Sequence, residues 1–239
     1  MIEDGKKAVV QAGRREFLPI ALLGGAAGAA WVFLALAGEV VEGEMRAFDE
    51  RLLLALRTST DSSNPLGPPW LEEVGRDLSA LGGTGVMVLL VVSVTLFLAL
   101  ARRQAEAMTL TAAAMGATAI ELTLKGWYGR PRPDLVPHGA RVFTASFPSG
   151  HATLSAAVFL TAGALLAHAE PDLRLKVYFS SLAVLLTVLV GASRVYLGVH
   201  WPTDVLAGWV LGAGWAATCW GAALWLGRDA RSRRNDRGL

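Results

Sequence analysis

The chain has 239 residues, 53% of them hydrophobic and only 18% charged, with a mean hydropathy of +0.44 and a formal net charge of +2. This balance argues against an ordinary soluble globular domain, and the dispersed positive residues give no basis for a nucleic-acid partner. The single cysteine, Cys219, has no partner for an intramolecular disulfide and sits in an apolar run where packing is its expected role.

In chain order, residues 1–16 are polar and carry Lys6, Lys7, Arg14 and Arg15 ahead of an uncharged run at 17–38. That run, with those at 78–101 and 205–227, is long enough to cross a hydrocarbon core of roughly 30 Å. The pattern is that of an all-α, polytopic membrane protein. The first run resembles the body of a signal peptide, but its length, and the lack of a small-x-small exit leading into a polar domain, favour a retained helix. In residues 39–57, Phe48, Leu52, Leu53 and Leu56 recur at helical spacing, while Glu42, Glu44, Arg46, Asp49, Glu50, Arg51 and Arg57 take the other positions. This segment reads as an amphipathic helix on the membrane surface or, equally, as an ordinary connecting helix. Residues 58–69 have turn composition.

The second span, 78–101, is closed by Arg102 and Arg103. A third follows Glu106 and reaches Leu124, with Glu121 four residues before Lys125 on the same helical face, a spacing for a salt link that also positions Lys125. Residues 126–147 form a Pro- and Gly-rich loop carrying Arg130, Arg132, Asp134, His138 and Arg141. Spans are predicted at 152–167, 177–192 and 205–226, with a polar turn at 170–176. The basic tail, 228–239, is expected to be disordered. The expected architecture is thus six transmembrane helices with an amphipathic surface helix between the first two, divided as 1–16, 17–227 and 228–239. Gly24 with Gly28, and Gly208 with Gly212, fit small-xxx-small spacing, although abundant glycine makes chance matches expected.

With six spans, 13 of the 22 Lys and Arg fall on the side of the N-terminal segment, Arg102–Arg103, the 170–176 turn and the tail. The positive-inside rule then makes residues 1–16 and 228–239 cytoplasmic. Three polar islands are left at the extracytoplasmic face: residues 125–133 (KGWYGRPRP), 148–151 (PSGH) and 193–204 (SRVYLGVHWPTD). Ionisable residues beside spanning helices are costly, so their grouping points to a functional site, with four helix ends around one pocket.

Lys125, Arg132 and Arg194 suit a multiply charged tetrahedral anion. Ser149 and Gly150 precede a helix starting near His151, whose free N–H groups can receive phosphate oxygens. His200 and Asp204 share a face if a helix has begun by Trp201–Pro202, and Pro202 suits a first turn. Asp204 can then accept from one imidazole nitrogen while the other attacks phosphorus. An N-cap with an incidental histidine and a His–Asp pair that only caps a helix are the bland readings, and the neighbouring cations weaken both. No Walker loop, dinucleotide fingerprint, HExxH or CxxC pair occurs.

Taken together, Lys125 with six residues before Arg132-Pro133, Pro148-Ser149-Gly150-His151, and Ser193-Arg194 with five residues before His200 and three more before Asp204 resemble the three-part signature of the type 2 phosphatidic acid phosphatase (PAP2) superfamily. The membrane-bound bacterial lipid phosphatase branch is the nearest likeness. The resemblance implies His200 as nucleophile, Asp204 as its orienting group and His151 as proton donor to the leaving oxygen and later activator of water. It implies that Lys125, Arg132, Ser149, Gly150 and Arg194 hold the phosphoryl oxygens, without metal or other cofactor. It further implies a multi-pass protein of the bacterial inner membrane acting on phosphatidylglycerol phosphate, phosphatidic acid, undecaprenyl diphosphate or lipid A. Its expected partners are that lipid phosphate and the surrounding lipids, with no obligate protein partner visible. Trp127, Tyr128 and Trp201 read equally as interfacial anchors or as ordinary aromatics at helix ends. An anion transporter or structural subunit is the rival class, but it has no need of two histidines with Asp204. A zinc site from His151, His200 and Asp204 is disfavoured by the adjacent cations.

Overall fold

The computed structural model describes the backbone of residues 2–140 and 144–236 and the side chains of residues 17–140 and 144–227. Arg141 and the side chains of residues 1–16 and 228–239 lie outside the described residues. Among the described residues, eight helices run in the order α1 (Ile2–Glu42), α2 (Arg46–Leu54), α3 (Pro69–Leu81), α4 (Thr84–Leu100), α5 (Gln104–Tyr128), α6 (Gly150–Ala169), α7 (Leu173–Tyr196) and α8 (Pro202–Asp236). A two-strand antiparallel ladder, β1 (Arg57–Thr58) with β2 (Asp61–Pro65), lies between α2 and α3. Five helices are long and apolar enough to cross a membrane, and α3 with α4 passes the same test as a pair bent by 46°. Helices suit that setting because each satisfies its own backbone polar groups where water is absent.

The 78–101 run is not one straight helix. It breaks at Gly82–Gly83, and α3 begins earlier than the apolar run, at Pro69. A Cβ on Gly82 would lie 2.4 Å from Val190 Cγ1 and 3.3 Å from His151 Cβ, so the break presses bare backbone against α7 and the start of α6. Periodicity cannot register this, since both glycines fit an apolar run.

At the centre, α6 packs against α5, α7 and α8, while α1 lies along α8. The α6–α8 contact depends on small residues. A Cβ on Gly208 would meet Ala152 Cβ at 2.8 Å, and one on Gly212 would meet the Thr153 carbonyl at 2.3 Å. Of the two small-xxx-small pairs, this one is an interface; Gly24 and Gly28 have nothing within 4 Å. In the α1–α8 contact, Gly221 faces Leu22 and Gly214 faces Ala29, so the two helices run antiparallel. Leu89, Phe97 and Leu100 point outward from α4, as lipid-facing residues do, whereas Ala113, Ala117, Ala152 and Ala156 are buried where helices meet.

Two further expectations change. Residues 228–236 of the tail are helical, because α8 continues to Asp236, and residues 237–239 lie outside the described residues. Arg57 is not on an exposed polar helix face: it is buried in β1, and its Nη1 donates to the Tyr196 carbonyl at 2.9 Å, supplying a donor and a positive charge to the C-terminal end of α7. In α2, Asp49 and Leu53 are buried while Phe48, Leu52 and Leu54 are exposed.

Candidate active site

The C-terminal ends of α5 and α7 meet the N-terminal ends of α6 and α8. Gly129, with φ +53°, ends α5 one turn after Lys125, its N–H donating to the Lys125 carbonyl, and turns the chain back over the helix end. Stacking of Phe147 on Phe33 (5.8 Å) and its edge contact with Tyr128 (5.1 Å) pin the far end of that loop beside α6. Gly198, with φ +70°, makes the turn after α7 that delivers His200.

These ends enclose a cavity of about 410 Å³ lined by Lys125, Arg132, Gly150, His151, Arg194 and His200, with Glu121 and Thr144 beside them. Asp204 is fully buried behind His200. The four helix ends expected to surround one pocket are therefore together. Ser149 is the exception. Its hydroxyl is buried without a hydrogen-bond partner and does not line the cavity, and its N–H is taken by the Asp204 carbonyl at 3.0 Å.

Lys125 Nζ is 3.0 Å from Glu121 Oε1 and donates to the Ala145 carbonyl (3.0 Å) and Thr144 Oγ1 (3.2 Å). Arg132 donates from Nε to the Thr144 carbonyl (2.8 Å) and from Nη1 to the Val199 carbonyl (2.7 Å). Arg194 donates from Nη1 to Ser79 Oγ (2.6 Å), while its Nε is buried and unpartnered. Arg194 nevertheless lines the cavity, where a guanidinium can donate charge-assisted hydrogen bonds to an anionic ligand.

His200 Nδ1 lies 3.3 Å from Asp204 Oδ2. A carboxylate can only accept, so that nitrogen carries the proton and Nε2 keeps a lone pair, which takes a donor from Arg132 Nη1 at 3.1 Å. Burial pushes the His200 pKa down to about 4, with Arg132 and Arg194 acting in the same direction and the Asp204 hydrogen bond opposing it. At neutral pH the imidazole is consequently uncharged. Asp204 Oδ2 also accepts from the Trp201 N–H (2.9 Å) and Ser146 Oγ, while Oδ1 accepts from Arg130 Nη1 (2.6 Å). Among the described residues, no three of His, Cys, Asp and Glu group as metal ligands.

Sequence reasoning missed Asp49, Ser79, Ser146 and Thr203, and left Arg130 without a role. Asp49 and Ser79 both sit far upstream: Asp49 reads as one of the polar positions of an amphipathic segment, and Ser79 as one hydroxyl inside the apolar run 78–101. Arg130 carried a weak signal, since it stands two residues before Arg132 in the GRPRP run.

The PAP2 superfamily profile matches residues 105–228, just over half the chain, and covers every one of the cavity's cations and both histidines. The chain belongs to the PAP2 superfamily. It is 31% identical over 181 residues to phosphatidylglycerophosphatase B of Bacillus subtilis, covering 75% of this chain and 85% of that one. A shorter match, 43% over 68 residues, relates it to an undecaprenyl-diphosphatase of Sulfolobus acidocaldarius, covering 28% and 29% of the two chains. The crystal structure of a transmembrane PAP2-type phosphatidylglycerolphosphate phosphatase from Bacillus subtilis superposes with a TM-score of 0.73 at 29% identity, over 86% of this chain and 95% of that one. The PAP2 chain described here is accordingly a membrane-embedded lipid phosphatase.

Proposed function

We propose that this phosphatase removes a terminal phosphate, from a monoester or a diphosphate, on a membrane lipid, in two displacements through a phosphohistidine and without a metal. The observation that carries the reading is the His200 imidazole, backed by Asp204 at 3.3 Å and facing a cavity with Lys125, Arg132 and Arg194. In the first displacement, His200 Nε2 forms a bond to phosphorus as the bond to the leaving lipid oxygen breaks, and His151 delivers a proton to that oxygen. A bound phosphate dianion adds negative charge beside His151, which favours the protonated imidazole needed for that step. In the second, His151 takes a proton from water, whose oxygen attacks phosphorus and releases His200 and inorganic phosphate. Lys125, Arg132, Arg194 and the N–H groups at the start of α6, beside Gly150, would neutralise the charge that builds on the phosphoryl oxygens. Ser149 can join them only if its hydroxyl turns toward the cavity.

The same reading counts α3 and α4 as one bent span, giving six. Antiparallel α1 and α8 support an even number of crossings. It keeps residues 1–16 and 228–239 cytoplasmic, the domain at 17–227 and the cavity at the extracytoplasmic face, and lays the exposed Phe48, Leu52 and Leu54 of α2 on the membrane surface. The candidate substrates are phosphatidylglycerol phosphate, phosphatidic acid, undecaprenyl diphosphate and lipid A, because only a headgroup phosphate need enter the cavity. Phosphate release by purified protein should be seen on more than one of the four, should persist in EDTA and should vanish in His200→Ala. Rapid quench with radiolabelled substrate should trap label on His200 in a His151→Ala protein. No release on any lipid phosphate, or label on His151 in the wild type, would sink the reading.

A further inference from the structure

The short helix α2 reaches into the site. Asp49 is fully buried, and both its oxygens are engaged. Oδ1 accepts from the Thr203 N–H at 2.9 Å, one of the N–H groups left free at the start of α8, and Oδ2 accepts from Thr203 Oγ1 at 2.6 Å and Arg130 Nη2 at 2.7 Å. The other terminal nitrogen of Arg130, Nη1, donates to Thr203 Oγ1 at 2.8 Å and to Asp204 Oδ1 at 2.6 Å. The guanidinium also lies over the Trp201 ring, 5.6 Å from its centroid. One arginine fork thus bridges two buried carboxylates, one prong to each.

We infer that Asp49 is a positioning residue for the nucleophile, acting through Arg130 on Asp204; the assignment rests on the phosphohistidine reading above. A guanidinium left alone with a carboxylate favours the two-pronged arrangement, in which it donates to both oxygens. Here Asp49 holds Nη2, so Arg130 reaches only Oδ1 and leaves Oδ2 to His200 Nδ1, the Trp201 N–H and Ser146. With Asp49 neutralised, Arg130 is free to close on both oxygens of Asp204 and compete for the one that orients the imidazole. Asp49 also anchors the first turn of α8, from which Asp204 projects. Neither Asp49 nor Arg130 lines the cavity, so substrate binding is not their task.

Asp49→Asn keeps the shape of the side chain and removes its charge. Kinetics on detergent-solubilised full-length protein, with a short-chain phosphatidic acid as substrate and inorganic phosphate as product inhibitor, separate positioning from binding. The expected result is a kcat lowered about 10-fold or more, the scale at which supporting contacts act, with KM and the phosphate inhibition constant within about threefold of wild type. Arg130→Lys retains the charge without the fork and should give the same split; it decides the question if Asp49→Asn does not fold. Wild-type kcat in either folded variant, in a preparation where His200→Ala is inert, overturns the assignment and leaves the reaction standing. Weakening of phosphate inhibition in step with kcat also overturns it. A His200→Ala protein as active as wild type would remove the phosphohistidine reaction itself, and the assignment with it.

Discussion

Among the described residues, Arg194 is the cavity cation with the fewest hydrogen bonds to protein. Its Nη1 is tied to Ser79 and its Nε is buried without a partner, so a phosphoryl oxygen would meet the part of the side chain that lines the cavity. A contact that tightens as charge develops on phosphorus contributes several kcal/mol to the transition state. Arg194→Ala and Lys125→Ala are therefore predicted to lose at least about 10²-fold in kcat/KM while the helices remain folded, as phosphate-release kinetics and circular dichroism on the same preparations will show. Near-normal turnover in folded variants would remove these residues from the phosphate site. The cations and histidines were legible in the sequence because charge is conspicuous against apolar runs. Asp49 and Ser79 were not, because one acid among the charges of an amphipathic segment looks solvent-facing and one hydroxyl inside an apolar run carries no signal. Only the folded chain shows that Arg130 and Arg194 claim them across 81 and 115 positions.

Among the elements, the spans after α4 were placed within a few residues, since long apolar runs fix where a helix can lie and Gly129, Pro202 and the polar turns mark its ends. The break between α3 and α4 and the helical course of 228–236 were not. The first depends on Gly82 backbone fitting against α6 and α7, and the second on α8 propagating past its apolar stretch, neither of which hydropathy encodes. The α6–α8 contact is the most demanding, with Gly212 against the Thr153 carbonyl in a space that admits no side chain. Gly212→Val should force the two helices apart, and with them His151 from His200, since each sits at the start of, or just before, one of those helices. The expected outcome is a melting temperature lowered by several degrees, as an overpacking cost of about 1–3 kcal/mol implies, with activity reduced more than the folded fraction. An unchanged melting temperature and full activity would show that the helices can separate without disturbing the site.

For the whole molecule, the proposed sidedness makes a direct prediction. In a Cys219→Ser background, His138→Cys should react with an impermeant thiol reagent added to intact cells and Arg103→Cys should not; the reverse pattern would invert the topology and put the cavity on the cytoplasmic face. The contacts of Lys125 bear on turnover. Lys125 has three N–H groups, and Glu121, Ala145 and Thr144 already occupy all of them. An arriving phosphate oxygen gains that ammonium only as one of these partners lets go. On the proposed reading, capture by Lys125 would be an exchange of partners and not an added contact, so its share of the grip on product phosphate would be smaller than an unpartnered ammonium would supply.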